Sequence, residues 1–348
     1  MSARNWRRPF VGRRSHGFTL IELMIALLLG LLVMGAAIAI FLSNRQAYTA
    51  TEGLGRVQEN VRFAFELMAR DIREVGANPC GRHVPVVNVI TGSSANWWTD
   101  LNSEVDASGE LVNPWQGTLT GFTGAQSMPS VSFGVGAAQR VNGTEAILLN
   151  SADDAVYSVQ AHNPGAATFT LNTSDTNLEA SSLVIVCDAR QASIFRAASV
   201  AGDTISHTDA GGLNCTQNLG LPADCATATA YNYQPNAMLA RLGGAQWYIG
   251  NNGRDGTSLY QSRISADGSG VTTQEIVEGV ESLSFEFLQD GAADYVPTAS
   301  ITSAAGWAEV IAVRLTLGMR TDAPGGTTDG QPLRRTLSHV VSLRSRNP

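Results

Sequence analysis

Few side chains in this chain stand at spacings that could run a reaction. Asp153-Asp154, His162, His207 and Asp209 are the acid–base candidates, but they do not gather at the short intervals that zinc or calcium ligands require, and they read as surface loop residues. Asn251-Asn252-Gly253-Arg254-Asp255-Gly256 lacks the remaining ligands of a calcium loop and reads as a turn. Serine is abundant, yet no Gly-x-Ser-x-Gly elbow occurs. The expectation is no catalytic residue, no metal, no cofactor and no enzyme. The residue that does pose a chemical problem is Glu22, an acid at the head of a greasy run.

From Leu23 to Leu42 there are 20 residues without a charge. At about 1.5 Å per residue they cover the roughly 30 Å of a bilayer's hydrocarbon. Arg4, Arg7, Arg8, Arg13 and Arg14 precede the span and only Arg45 follows it closely, which holds the N-terminus in the cytoplasm and sends the remainder out. A conventional secretory signal cut near Ala37-Ile38-Ala39 is the rival. Its apolar region would be longer than the usual 7 to about 15 residues, and Glu22 would have no purpose in it.

Gly17-Phe18-Thr19-Leu20-Ile21-Glu22-Leu23, after a short basic leader and before an unbroken apolar helix, resembles the prepilin signal of type IV pilins and type II secretion pseudopilins. The resemblance implies that a membrane-embedded prepilin peptidase cuts between Gly17 and Phe18 and N-methylates Phe18. A bulky residue in place of Gly17 would obstruct a protease that must approach the backbone. A carboxylate inside a bilayer costs roughly 3 kcal/mol, so it asks for a partner, and the cut supplies one in the new Phe18 amine. In a helical stack, Glu22 of one subunit could meet that amine on its neighbour. Unit charges about 4 Å apart attract by on the order of 4 kcal/mol at an effective dielectric of 20, enough to offset insertion and set axial register. Methylation leaves the amine basic.

These groups need a rod to carry them. Beyond the span, Val57, Val61, Phe65, Met68, Ile72 and Val75 recur as one helical stripe, while Arg62, Glu66 and Arg70 stand four apart on the polar face. Gly76-Ala77-Asn78-Pro79 stops the helix. Unbroken from Phe18 to Val75, it would run about 87 Å. Gly53 and Gly55 either weaken it just outside the membrane, by about 1 kcal/mol each, or permit close helix packing.

After Pro79 the composition turns to Gly, Ser, Thr, Asn and Val with turn signals such as Asn142-Gly143 and Asn252-Gly253, which reads as a β-rich head. Short strands are expected at Glu145–Asn150, Thr168–Asn172, Ser182–Cys187 and Ser193–Ala198. Alternation over Glu278–Leu288, Glu309–Met319 and Arg335–Leu343 predicts a three-stranded antiparallel meander. Val277-Glu278-Gly279-Val280-Glu281-Ser282-Leu283, Trp307 before Val310-Ile311-Ala312-Val313-Arg314-Leu315, and a closing strand from Arg334-Arg335 to Ser342-Leu343-Arg344 resemble the PilW family of minor pilins. The expected fold is therefore α+β and type IV pilin-like, a long N-terminal helix packed on an antiparallel sheet with further β-rich insertions. Its parts would be a leader over 1–17, a membrane and filament-core segment over 18–42, an amphipathic extension over 43–76 and an extracytoplasmic head over 77–348, with the meander at about 277–346.

The 348 residues carry a net charge of -7, and removing the five leader arginines leaves 18 basic against 30 acidic residues, or -12, with no lysine. Such a body is unsuited to phosphate backbones, so no nucleic acid partner is expected. Cys80, Cys187, Cys215 and Cys225 all follow the span and, outside the cytoplasm, suggest disulfides. Three pairings are open. Cys215 with Cys225 would close a short loop, leaving Cys80 to staple the helix exit to Cys187. Trp97-Trp98 and Trp115 lie in a polar stretch and are expected to be partly buried, with contact to a partner or glycan as the alternative. The resemblance implies other minor pilins, the major pilin, prepilin peptidase and a large tip adhesin as partners, and the inner membrane before a pilus fibre, in support of adhesion and twitching motility. A minor pseudopilin of a type II secretion system is the nearest alternative, and a tethered periplasmic binding protein the more distant one.

Overall fold

Apolar residues at helical spacing, with no proline between Pro9 and Pro79, fold into one continuous helix, α1, over Leu20–Glu74. The computed structural model describes residues 17–81, 84–105, 111–222, 225–320, 332 and 334–346. The leader, with its five arginines, lies outside them except for Gly17. The helix ends as its residues dictate: Val75 leaves the helical conformation and Gly76 takes a φ of 65°, the left-handed geometry that glycine adopts without strain.

Only the second half of α1 is covered. Val57, Val61, Ala64, Met68, Ala69, Ile72 and Val75 are buried, while Leu20–Leu42 is bare along its whole length. Phe65, placed on the same stripe by its spacing, is only partly covered and its ring lies 5.6 Å from that of His339. On the polar face Arg62 pairs with Glu66 at 2.9 Å, and Arg70 reaches Glu74 and Asp154 instead of continuing the ladder.

The sheets form an antiparallel-rich head. Among the described residues one sheet has eleven strands, built around the long pair Ala146–Asn163 and Met238–Asn251. Beyond this pair lie Leu183–Cys187 and Ala192–Arg196 on one side and Thr168–Leu171 with Thr204–Ser206 on the other. Thr257–Ile264 and Val271–Glu278 branch from the Met238–Asn251 strand. Val86–Asn88 adds a parallel pairing to Ala192–Arg196. The terminal meander, Val280–Gln289, Val310–Arg320 and Arg334–Ser342, is antiparallel throughout. It is not three-stranded, as alternation alone implies, because Val296–Pro297 adds a short fourth strand at its edge.

One apolar core joins α1 to both sheets, with Leu283, Phe285, Val313, Leu315 and Leu317 below it and Ile147, Leu149 and Trp247 beside it. A second core gathers Trp97, Trp98, Trp115, Tyr248 and Tyr260, so the tryptophans of the polar stretch are buried. A third holds Phe169, Phe195, Tyr233 and Leu239. Cys80 is bonded to Cys187, and Cys215 to Cys225.

Two readings of charged residues are overturned. His207 is fully buried and His162 half-buried, because the Ala146–Asn163 strand runs far past its expected end and carries His162 onto the third core. Asp153 and Asp154 are not free loop residues either: they lie within that strand, paired with Arg241 at 2.6 Å and Arg70 at 2.8 Å.

Candidate assembly site

The start of α1 is organised by two side chains. Thr19 is the N-cap, with extended backbone, and its hydroxyl accepts a hydrogen bond from Glu22 N at 3.3 Å. Glu22 reaches back: its Oε2 accepts from Thr19 N at 3.2 Å and from Thr19 Oγ1 at 3.1 Å. This reciprocal capping box satisfies two donors that a helix start otherwise leaves open, and puts a negative charge on the positive end of the dipole. In hydrocarbon, where water cannot serve those donors, the need is greater. The Thr19-x-x-Glu22 spacing is itself the sequence signal for the box, so Glu22 has a partner within its own chain as well.

Gly17 and Phe18 precede the helix without regular structure. Phe18 is 86% exposed, and nothing lies within 4 Å of where a Gly17 Cβ would be. Among the described residues nothing crowds the peptide bond between them. Both donors from Thr19 converge on Oε2 of Glu22, and among the described residues no hydrogen bond falls on Oε1.

At its other end α1 is fastened by a buried carboxylate. Asp71 Oδ2 accepts from Trp247 Nε1 at 2.8 Å and Gln261 Nε2 at 2.7 Å, and Oδ1 from Arg263 Nη2 at 2.6 Å. Around it, Gly76 N donates to Asn150 O, Ser345 Oγ to Val75 O, and Arg344 N to Arg73 O. Arg346, buried, donates to Trp307 O and Thr118 Oγ1, both at 2.6 Å. Residues 344–346 and the last turn of α1 are therefore one joint, reinforced by Cys80–Cys187 just beyond. The sequence points to a helix packed on the sheet and offers Cys80–Cys187 as one of three open pairings, but it does not mark these polar contacts.

Among the described residues no group of three or more His, Cys, Asp or Glu is placed to hold a metal. Asp209 stands apart from Asp153 and Asp154, and Asn252 makes the 251–256 run a hairpin turn through its own Oδ1, which accepts from Arg254 N and Gly256 N.

Residues 246–340 match the family model described as type IV pilus-assembly protein W, and residues 12–38 match the prokaryotic N-terminal methylation motif. No significant match is found among curated proteins or solved structures. The two matches fall on the methylation signal with the bare helix and on the strands around the meander, and they support a type IV pilin of the PilW family. The signal and the apolar helix fit a single-pass inner-membrane pilin that later becomes part of a pilus, in association with other pilus components.

Proposed function

We propose that this chain is a minor pilin that joins or primes a type IV pilus near the tip, after prepilin peptidase cuts between Gly17 and Phe18 and methylates the new amine. The observation that carries the proposal is the Glu22 carboxylate, held at the head of the uncovered apolar stretch Leu20–Leu42, with both capping hydrogen bonds on Oε2 and, among the described residues, none on Oε1. In the fibre that oxygen takes the Phe18 amine of an adjoining subunit, and Leu23–Leu42 exchanges lipid for neighbouring helices of the major and minor pilins. The head remains outside, where a tip adhesin is a partner of the right class, and supports adhesion and twitching motility. The apolar rod and the sheet provide an assembly subunit, and no catalytic role is assigned.

Intact-mass analysis of the purified subunit tests the processing step: the expected chain begins at N-methylated Phe18, and a Met1 start or a cut near Ala39 overturns it. Glu22→Gln is expected to be cleaved yet to enter fibres at a small fraction of the natural level. Deleting the gene and scoring surface pili against protein secretion separates this reading from a type II pseudopilin. Loss of secretion with pili intact defeats it.

A further inference from the structure

His162 and His207 lie outside everything the assembly site uses, and their ring nitrogens meet at an Nε2–Nε2 distance of 3.1 Å. His162, next to last in the long Ala146–Asn163 strand, stacks on Phe169 at 4.0 Å, with His207 in the loop after Thr204–Ser206, and Phe195 and Tyr233 close around the pair. Their protonation can be read from the hydrogen bonds. Tyr233 N donates to His162 Nδ1 at 3.1 Å, so that nitrogen bears no proton. The proton of neutral His162 is then on Nε2, which donates to Nε2 of His207, whose own proton is on Nδ1. That Nδ1–H is buried near the backbone of Gln217 without a hydrogen bond of good geometry. The same tautomers exclude a metal shared by the two Nε2 atoms, since His162 would then need a proton on Nδ1, against the Tyr233 N–H.

Each site that could accept an acid proton is therefore already facing an N–H. Adding one to His162 Nδ1 sets it against Tyr233 N–H, and adding one to His207 Nε2 sets two donors 3.1 Å apart. Among the described residues no neighbouring charge relieves this. The Arg196 guanidinium turns to Ser181 O and Gly268 O, Asp188 and Arg190 are engaged by Tyr231, and the Tyr233 hydroxyl by Ser193 and Gln191. Neither Asp203 nor Asp209 acts on either ring.

We infer that the His162–His207 pair is a pH-operated latch, which holds the backbone around Tyr233 on the head at neutral pH and lets go of it in acid. Burial pushes His162 down to about 4 and, with His162 beside it, His207 down to about 3. Both lie below the ordinary 6.5 or so of an unfolded histidine. A lowered folded value stabilises the closed form fully above about pH 6.5, and that contribution fades as pH falls toward 4. The segment over 225–237 is the one released. It is without helix or strand, and its near end is tied down by Cys215–Cys225 and by Asn218 Nδ2 to Ala228 O and Gly220 N to Thr229 O, while beyond Thr229 it is held by Tyr231 Oη to Asp188, by Tyr233 itself, and by Asn236 N to Val159 O and Val159 N to Ala237 O. Its opening uncovers the aromatic side of the third core.

Hydrogen exchange of the full mature protein in detergent, followed by mass spectrometry from pH 7.5 to 4 and corrected for intrinsic rates, tests the latch. Peptides covering 225–237 are expected to exchange at least tenfold faster at pH 4, while Val280–Gln289 and Val310–Arg320 stay protected. The double variant His162→Asn/His207→Gln, which keeps an acceptor for Tyr233 N and removes titration, is expected to change less than twofold. Uniform loosening of the head, or an equal response in the double variant, overturns the proposal. Should that variant not fold, carbon-13 NMR of labelled histidines in the natural chain decides. Rings that titrate together with the exchange of 225–237 support the latch, and rings that titrate near 6.5 while the segment stays protected overturn it.

Discussion

A single side chain can do work at the residue scale that local pattern does not announce. Asp71 sits among charged neighbours on α1 and has the look of a solvent-face residue, yet its acceptors are filled by groups 176 to 192 positions away. Replacing it with alanine strands Trp247 Nε1 and Gln261 Nε2, at about 1–3 kcal/mol for each buried unpaired donor. Arg263 keeps half of its side chain in water and recovers much of its own loss there. The expected destabilisation of Asp71→Ala is therefore about 3 kcal/mol, with Asp71→Asn smaller, read by denaturant unfolding of the mature protein in detergent. A loss under 1 kcal/mol would mean that the network is not what fastens the helix. Glu22 is the opposite case: its anomaly was plain from the surrounding apolar residues, and the Thr19 box was also legible. Asp71 and His207 were not, because partners supplied by the fold leave no mark at short range.

Elements were legible in proportion to how regular their patterns are. The helix was evident from its stripe and its Gly76 stop, and the meander from strict alternation. The long Met238–Asn251 strand was missed because Gly243-Gly244 and a register shift between Ala240 and Leu242 interrupt its pattern. Gly244 is there for space: a Cβ on it would come within 2.8 Å of Trp97 and closer still to Asn150. Gly55 differs, since α1 is continuous through it and a Cβ there would meet nothing within 4 Å. Gly55→Ala should then raise the stability of the isolated subunit by up to about 1 kcal/mol, visible as a higher melting temperature. If the same variant is excluded from fibres, the glycine serves close packing between subunits, and unaltered incorporation rejects that role. Met68→Ala, in the fully buried stripe, should cost about 2–5 kcal/mol by the same thermal measurement.

For the whole molecule, the question is how a head of this size stays on a rod embedded in something else. The two disulfides divide the answer unequally. Cys80–Cys187 spans 107 positions and joins the exit of α1 to the middle of the large sheet, whereas Cys215–Cys225 spans 10 within one loop. On the loop-entropy account the first restrains the unfolded chain by about 4.8 kcal/mol and the second by about 2.7 kcal/mol. The first also sits at the joint where the last turn of the helix, Asn150 and the C-terminal residues meet, so its removal loosens a place the rest of the head depends on. Cys80→Ser/Cys187→Ser should thus lower the melting temperature more than Cys215→Ser/Cys225→Ser does. In the first pair, exchange should rise on both sides of the joint, and in the second it should rise only near 215–237. Equal losses from the two pairs, or a loss in the first confined to residues near Cys80, would show that the noncovalent joint alone carries the head.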